Sequence, residues 1–159
     1  MSAFKVLDVG CGANPKGDVN VDLYPNNKQQ CKQSYNPKEI KNFIVADAEN
    51  LPFRPDSFEE VYVIHVCEHL LNPFKGLHEF KRVGKIIYIQ VPSPYDPHLS
   101  ETHLFTWDCN TLRNLLRKVF KNVKMSYLSY AVRFHGKAIP LLRLMTNRYP
   151  QEIKAVCWD

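Results

Sequence analysis

Short apolar runs, each closed by a polar or glycine-containing turn, recur along the chain. The first covers residues 5–9, where Val6, Leu7 and Val9 run into Gly10-Cys11-Gly12; this reads as a buried strand ending in a ligand loop. Similar runs predict strands at 19–23, 43–47, 60–66, 85–91, 122–130 and 152–158. Between the fourth and fifth, Leu70, Phe74, Leu77 and Lys81 fall at helical spacing, with Leu71 and Phe80 widening the apolar side. That pattern predicts a helix over 68–82 with Gly84 as its stop. A second helix, capped by Thr106 or Asp108, carries the stripe Leu112, Leu115, Leu116 and Val119. A third, apolar helix is expected over 137–146, a short one over 37–42, and a polar surface loop over 24–36. Strands alternating with helices imply an α/β fold around a mostly parallel, seven-stranded, doubly wound sheet.

Chemistry gathers at the strand ends. Gly10 and Gly12 lack a Cβ, so the backbone there can bend sharply and let a ligand reach its N–H groups. Ligands of open α/β sheets sit beyond the carboxyl ends of the strands, where this loop falls. Asp22, ending the second strand, is placed to accept hydrogen bonds from a ribose diol; alone it reads equally well as a strand-terminating turn residue, but beside Gly10 and Gly12 the ligand reading is the better one. Asp47 and the backbone after it could read the edge of an adenine. A nicotinamide site would want a third glycine where Pro15 stands, and an acid nearer twenty residues beyond Gly10 than Asp22 is. The segment 14–18 reads as a turn, so the helix that would normally follow the glycines is reduced or missing.

Five stretches then occur in a recognisable order: VLDVGCGANP, the acid of NVDLY, ADAENLPF, DSFEEVYVIHVCEHL, and IIYIQVPSP leading to HLFTWD. Over roughly residues 6–116 the chain resembles the class I S-adenosylmethionine-dependent methyltransferases of the type 11 group, in a compact form with reduced helices. The resemblance implies a Rossmann-like fold, S-adenosyl-L-methionine as methyl donor, and an acceptor still to be identified, a small molecule before a nucleic acid or protein. It implies that Gly10, Cys11 and Gly12 meet the methionine part through their backbone, and that Asp8 helps hold its ammonium group. Asp22 would bind the ribose, Asp47 and Ala48 would face the adenine, and His65 and Val66 would lie beside the sulfonium. Asn14 and Leu23 complete the expected cofactor-binding set. His65, Glu68, His69, Tyr95, His98 and His103 are candidates for a proton-removing base, His65 and His69 being best placed as catalytic residues. A non-catalytic adenosylmethionine-binding subunit of another enzyme is the alternative that the shortened elements suggest.

Composition adjusts this picture in three places. At 159 residues the chain fits one domain spanning 1–159. Its five cysteines are odd in number, scattered and without a CxxC pair, so neither a disulfide framework nor a metal site is expected. No apolar run approaches a membrane span and no signal pattern opens the chain, so a cytoplasmic protein is expected. Residues 1–109 carry 11 basic and 14 acidic side chains, whereas residues 110–159 carry 10 basic and 2 acidic. That basic third, with Tyr127, Tyr130, Phe134 and Tyr149, suggests an anionic partner such as nucleic acid. The 92–103 loop, the 137–146 helix or a second subunit in a homodimer would then close an open cofactor face.

Overall fold

The computed structural model describes residues 5–25, 35–94, 96, 100–128, 133–134, 137–138 and 152–159. Strands β1 (Val6–Val9), β2 (Val19–Asp22), β3 (Phe43–Val45), β4 (Phe58–Ile64), β5 (Gly84–Pro92), β6 (Asn122–Leu128) and β9 (Glu152–Trp158) form one seven-stranded sheet in the order β3-β2-β1-β4-β5-β9-β6. The first five are parallel, and β9 runs antiparallel between β5 and β6. This is the Rossmann-like sheet expected from the alternation, with few helices. A two-residue ribbon, β7 (Arg133–Phe134) with β8 (Lys137–Ala138), stands apart from it. Lys137 and Ala138 are therefore extended where an apolar helix was expected; residues 139–146 lie outside the described residues.

Register puts Leu7, Val61, Ile87 and Cys157 on one level of one face, and Val9, Val63, Ile89 and Ala155 on the next. All eight are buried, and they join Leu77, Phe80 and Val83 of α1 (Pro73–Val83) and Leu112 and Leu116 of α2 (Cys109–Leu116) in a single core. The reduction in helices is concentrated on the opposite face. There Tyr62 stacks on Tyr88 at 4.9 Å, Ile86 and Trp158 are more than a third exposed, and the described residues supply no helix to cover them.

Three helical details differ from the sequence reading. The helix expected over 68–82 is split: Cys67–His69 forms a 3-10 turn, and α1 starts afresh at Pro73. Proline lacks an N–H and fits only the first turn, and the Asn72 side chain caps that turn by accepting from the Lys75 N–H. The restart rotates the stripe, so Leu71 and Phe74 are exposed while Gly76, Leu77 and Phe80 pack inward. At the other end Gly84 terminates α1, but as the extended first residue of β5 and not through a left-handed cap. The 37–42 helix is a single 3-10 turn, Pro37–Glu39, capped by Asn36. Asp108, not Thr106, caps α2, accepting from the Asn110 and Thr111 N–H groups.

Gly84 is present for space: a Cβ there would strike Val61 Cγ2, in a fully buried part of the sheet. Gly84→Ala should therefore destabilise the protein by roughly 1–3 kcal/mol through overpacking, read as a lower urea midpoint at unchanged m-value.

Candidate functional site

A cavity of about 810 Å3 opens at the carboxyl ends of β1 to β4, within the range of small-molecule sites. Its glycine wall forms because Gly10 (φ +69°) and Gly12 (φ +53°) take left-handed backbone that other residues resist. The Val21 carbonyl accepts both the Gly10 N–H (2.7 Å) and the Cys11 N–H (3.1 Å). The two glycines then differ. A Cβ on Gly10 would strike Val66 Cγ2, whereas a Cβ on Gly12 would meet nothing within 4 Å. Gly10 is needed for packing, and Gly12 faces open space.

Asp22 ties this wall to β2. Its Oδ2 accepts the Gly12 N–H at 3.0 Å and its Oδ1 accepts the Tyr24 N–H at 2.8 Å. Each carboxylate oxygen keeps a second lone pair, and Asp22 lines the cavity. Asp47 likewise builds its own turn, accepting the Glu49 N–H at 2.8 Å. The turn after it is held from α1: Arg82 donates to the Leu51 and Phe53 carbonyls and pairs with Glu79, which accepts the Leu51 N–H.

Gly10, Cys11, Gly12, Asn14, Asp22, Leu23, Asp47, Ala48, His65, Val66 and His69 all line this one cavity. Asp8 does not. It is buried beneath the loop, where its Oδ2 accepts the Lys16 N–H at 2.8 Å. Burial pushes the Asp8 carboxyl up to about 6, against the pull of the Lys16 N–H and charge, and Asp22 adds to the rise. Of the other base candidates, Tyr95 and His98 lie outside the described residues. Glu68 and His103 do not line the cavity; the His103 ring packs edge-on against that of His69 at 4.8 Å.

His65 is held in left-handed backbone (φ +55°), an unusual conformation for a residue with a Cβ. Its Nδ1 lies 3.3 Å from Glu68 Oε1, and its Nε2 lies 3.4 Å from Glu152 Oε1 and 3.3 Å from the Gln90 amide nitrogen. The Glu68 carboxylate raises the His65 pKa, burial opposes it, and Glu152 adds to the rise. Glu152 escaped the sequence reading because 87 residues separate it from His65 and only the β5–β9 register joins them. Tyr24, Thr102 and Leu104 also line the cavity; of these only Leu104 lies in the HLFTWD stretch, and Thr102 immediately precedes it.

Comparison with known proteins follows from this arrangement. A Rossmann-like sheet with its cavity at the glycine-bearing end defines the class. The profile of the methyltransferase-domain family matches residues 7–86, half of the chain, and the chain belongs to that family. Uncharacterized protein MJ0638 of Methanocaldococcus jannaschii is 34% identical over 95 residues, which is 55% of this chain and 41% of that protein. The chain thus spans less than half the length of this curated relative. A SAM-dependent methyltransferase of Thermotoga maritima superimposes with a TM-score of 0.71, over 99% of this chain and 83% of its own, at 13% identity. The methyltransferase from a complex with the Haloferax volcanii Trm112 methyltransferase activator gives 0.69, over 98% and 82%, at 16% identity. An arsenic(III) S-adenosylmethionine methyltransferase of Chlamydomonas reinhardtii gives 0.62, over 99% and 64%, at 18% identity. At these identities the likeness is one of fold. Among the described residues no helix is long and apolar enough to cross a membrane.

Asp8 yields a prediction with a definite sign. Its folded pKa of about 6 lies above the ordinary 3.8, so its contribution to stability is full below about pH 4 and is lost as the pH rises through 6. Relative to the wild type, Asp8→Asn should gain about 2 kcal/mol between pH 4 and pH 7, measured by urea unfolding at both values. The difference between the two proteins isolates this group from carboxylates such as Glu79, whose pairing with Arg82 shifts it the other way.

Proposed function

We propose that the chain is an S-adenosylmethionine-dependent methyltransferase that binds its donor in the 810 Å3 cavity and acts on a small-molecule acceptor. The observation that carries this is the Gly12 wall: a left-handed glycine, pinned by the Asp22 carboxylate, with free space where a side chain would project. Backbone at such a site can lie directly against a ligand. In this reading Gly10, Cys11 and Gly12 hold the methionine part, with Asn14 beside them. Asp22 and Leu23 take the ribose, and Asp47 and Ala48 take the adenine. Bound there, adenosylmethionine supplies a methyl group already activated on a sulfonium.

The chain's own contribution is then chiefly orientation and exclusion of water, since holding two reactants in contact removes much of the barrier. His65 and Val66, at the end of β4, border the reacting end. For a hydroxyl or amine acceptor, His65 and His69 are the imidazoles lining the cavity that could take up a proton. A cavity of this volume favours a small acceptor over a macromolecule.

Titration calorimetry with adenosylhomocysteine tests the donor side. We expect saturable heat with the wild type and at least tenfold weaker binding by Asp22→Ala, with NAD giving none. Binding of NAD in place of adenosylhomocysteine, or an unchanged affinity in the variant, overturns the assignment.

A further inference from the structure

We propose that Glu68, His69 and His103 form a binding site for a divalent transition-metal ion of the zinc type at the edge of the cavity. One ligand atom from each of the three lies within 4.8 Å of the others. A tetrahedral ion with bonds of about 2.0–2.2 Å holds its ligand atoms roughly 3.4 Å apart, so small side-chain rotations close the set. Two imidazoles and a carboxylate are a donor combination that suits zinc and its neighbours.

Glu68 points to a ligand independently of that spacing. Its side chain is fully buried; among the described residues Oε2 has no hydrogen-bond partner, and Oε1 has only the approach of His65 Nδ1. Among the described residues its ion-pair contact is with His65, whose Nδ1 stands 3.3 Å from Oε1. A buried carboxylate so poorly compensated is costly. A cation bound through one oxygen would supply the missing charge and leave the other oxygen to His65.

The two imidazoles are prepared for the same task. His69 Nδ1 lies 3.1 Å from the Thr102 carbonyl. Only the protonated nitrogen can make that contact favourable, so in the neutral ring Nε2 carries the free lone pair. Metal-ligating histidines characteristically donate their other N–H in this way. His103 packs edge-on against His69, and the Ser100 N–H reaches its Nδ1 only at a long 3.4 Å, a contact weak enough to yield to an ion. The backbone fixes the two halves together: the Glu68 carbonyl accepts the Leu104 N–H at 2.7 Å and the Phe105 N–H at 3.2 Å. His103 is thereby clamped beside the 3-10 turn that carries Glu68 and His69. Three protein ligands leave a fourth position on a tetrahedral ion for water or for a donor atom of a substrate.

The site stands whether or not the cavity takes adenosylmethionine, so its test omits that compound. Chelator-treated full-length protein is titrated with Zn2+ against a chromophoric competitor, and separately with Co2+ while the visible spectrum is followed. We expect one ion per chain and the absorption of tetrahedral cobalt. Zn2+ should raise the melting temperature of the wild type. His103→Gln, a change at a half-buried position, should bind at least tenfold more weakly and lose that rise, and Glu68→Gln should do the same. Circular dichroism checks that each variant folds, and His103→Gln alone decides the matter if Glu68→Gln does not. Alkylating the accessible thiols should leave the stoichiometry unchanged. Absence of one-to-one binding, equal affinity in His103→Gln, or loss of the ion on alkylation overturns the proposal.

Discussion

Three backbone N–H groups at the end of β1 have no strand partner of their own on the ligand side, and β2 takes all of them. The Val21 carbonyl accepts those of Gly10 and Cys11, and the Asp22 carboxylate accepts that of Gly12. This junction holds the glycine loop open and at the same time fixes β2 beside β1. Parallel neighbours are ordinarily joined by a crossover of a dozen or more residues containing a helix; here residues 10–18 do it without one. Polar side chains replace the helix. Buried Asn20 bonds in both directions with the Gly17 backbone, and Asp18 accepts from the Lys5 and Val6 N–H groups at the start of β1. Asp8 receives Lys16 from below. The loop is rigid through its hydrogen bonds, so the missing helix leaves the cavity wall in place while stripping cover from the sheet.

That exchange explains why the open face lies where it does. α1 and α2 precede or follow β5 and pack on the face carrying Leu7, Val61 and Ile87. On the other face the short β1–β2 and β3–β4 connections bring no helix, and Tyr62, Tyr88 and Ile86 remain partly exposed. Tight packing is reserved for the covered side, where two glycines, Gly76 and Gly84, let side chains of the core approach the backbone directly.

The strands were legible because β-branched and apolar residues cluster in short runs bounded by turn residues, and β9 falls on 152–158 as its run of Ile153, Ala155, Val156 and Cys157 suggests. The cavity-lining residues were legible for a related reason: in a parallel sheet, the residue ending each apolar run stands at the ligand edge. Asp22, Asp47 and His65 could be placed by that rule alone. Helix α1 was read less well because a count of apolar spacing continues through Leu70 and Leu71, whereas the Asn72 cap and Pro73 reset the helix phase. Gly84 was legible as the stop of the helix; its further constraint, the closeness of Val61 across the sheet, depends on a partner 23 residues away. The role of Asp8 as a support below the loop also depends on the loop's fold, which no local pattern encodes.

Glu152 shows how direction of a strand decides what reaches the site. The parallel strands β1 to β4 deliver their carboxyl ends to the cavity, so the first residue of a strand ordinarily lies at the far edge. β9 enters antiparallel between β5 and β6, with Glu152 opposite Pro92 and Lys154 opposite Gln90. Its amino end therefore arrives at the ligand edge. Gln90 donates to Glu152 Oε2 at 2.7 Å, and His65 stands between Glu152 and Glu68. A residue near the far end of the chain thus holds a histidine that the β4 turn presents in left-handed backbone. Glu68 and Glu152 thus approach the same imidazole from its two nitrogens, a pairing made by the direction of β9 and not by nearness in sequence.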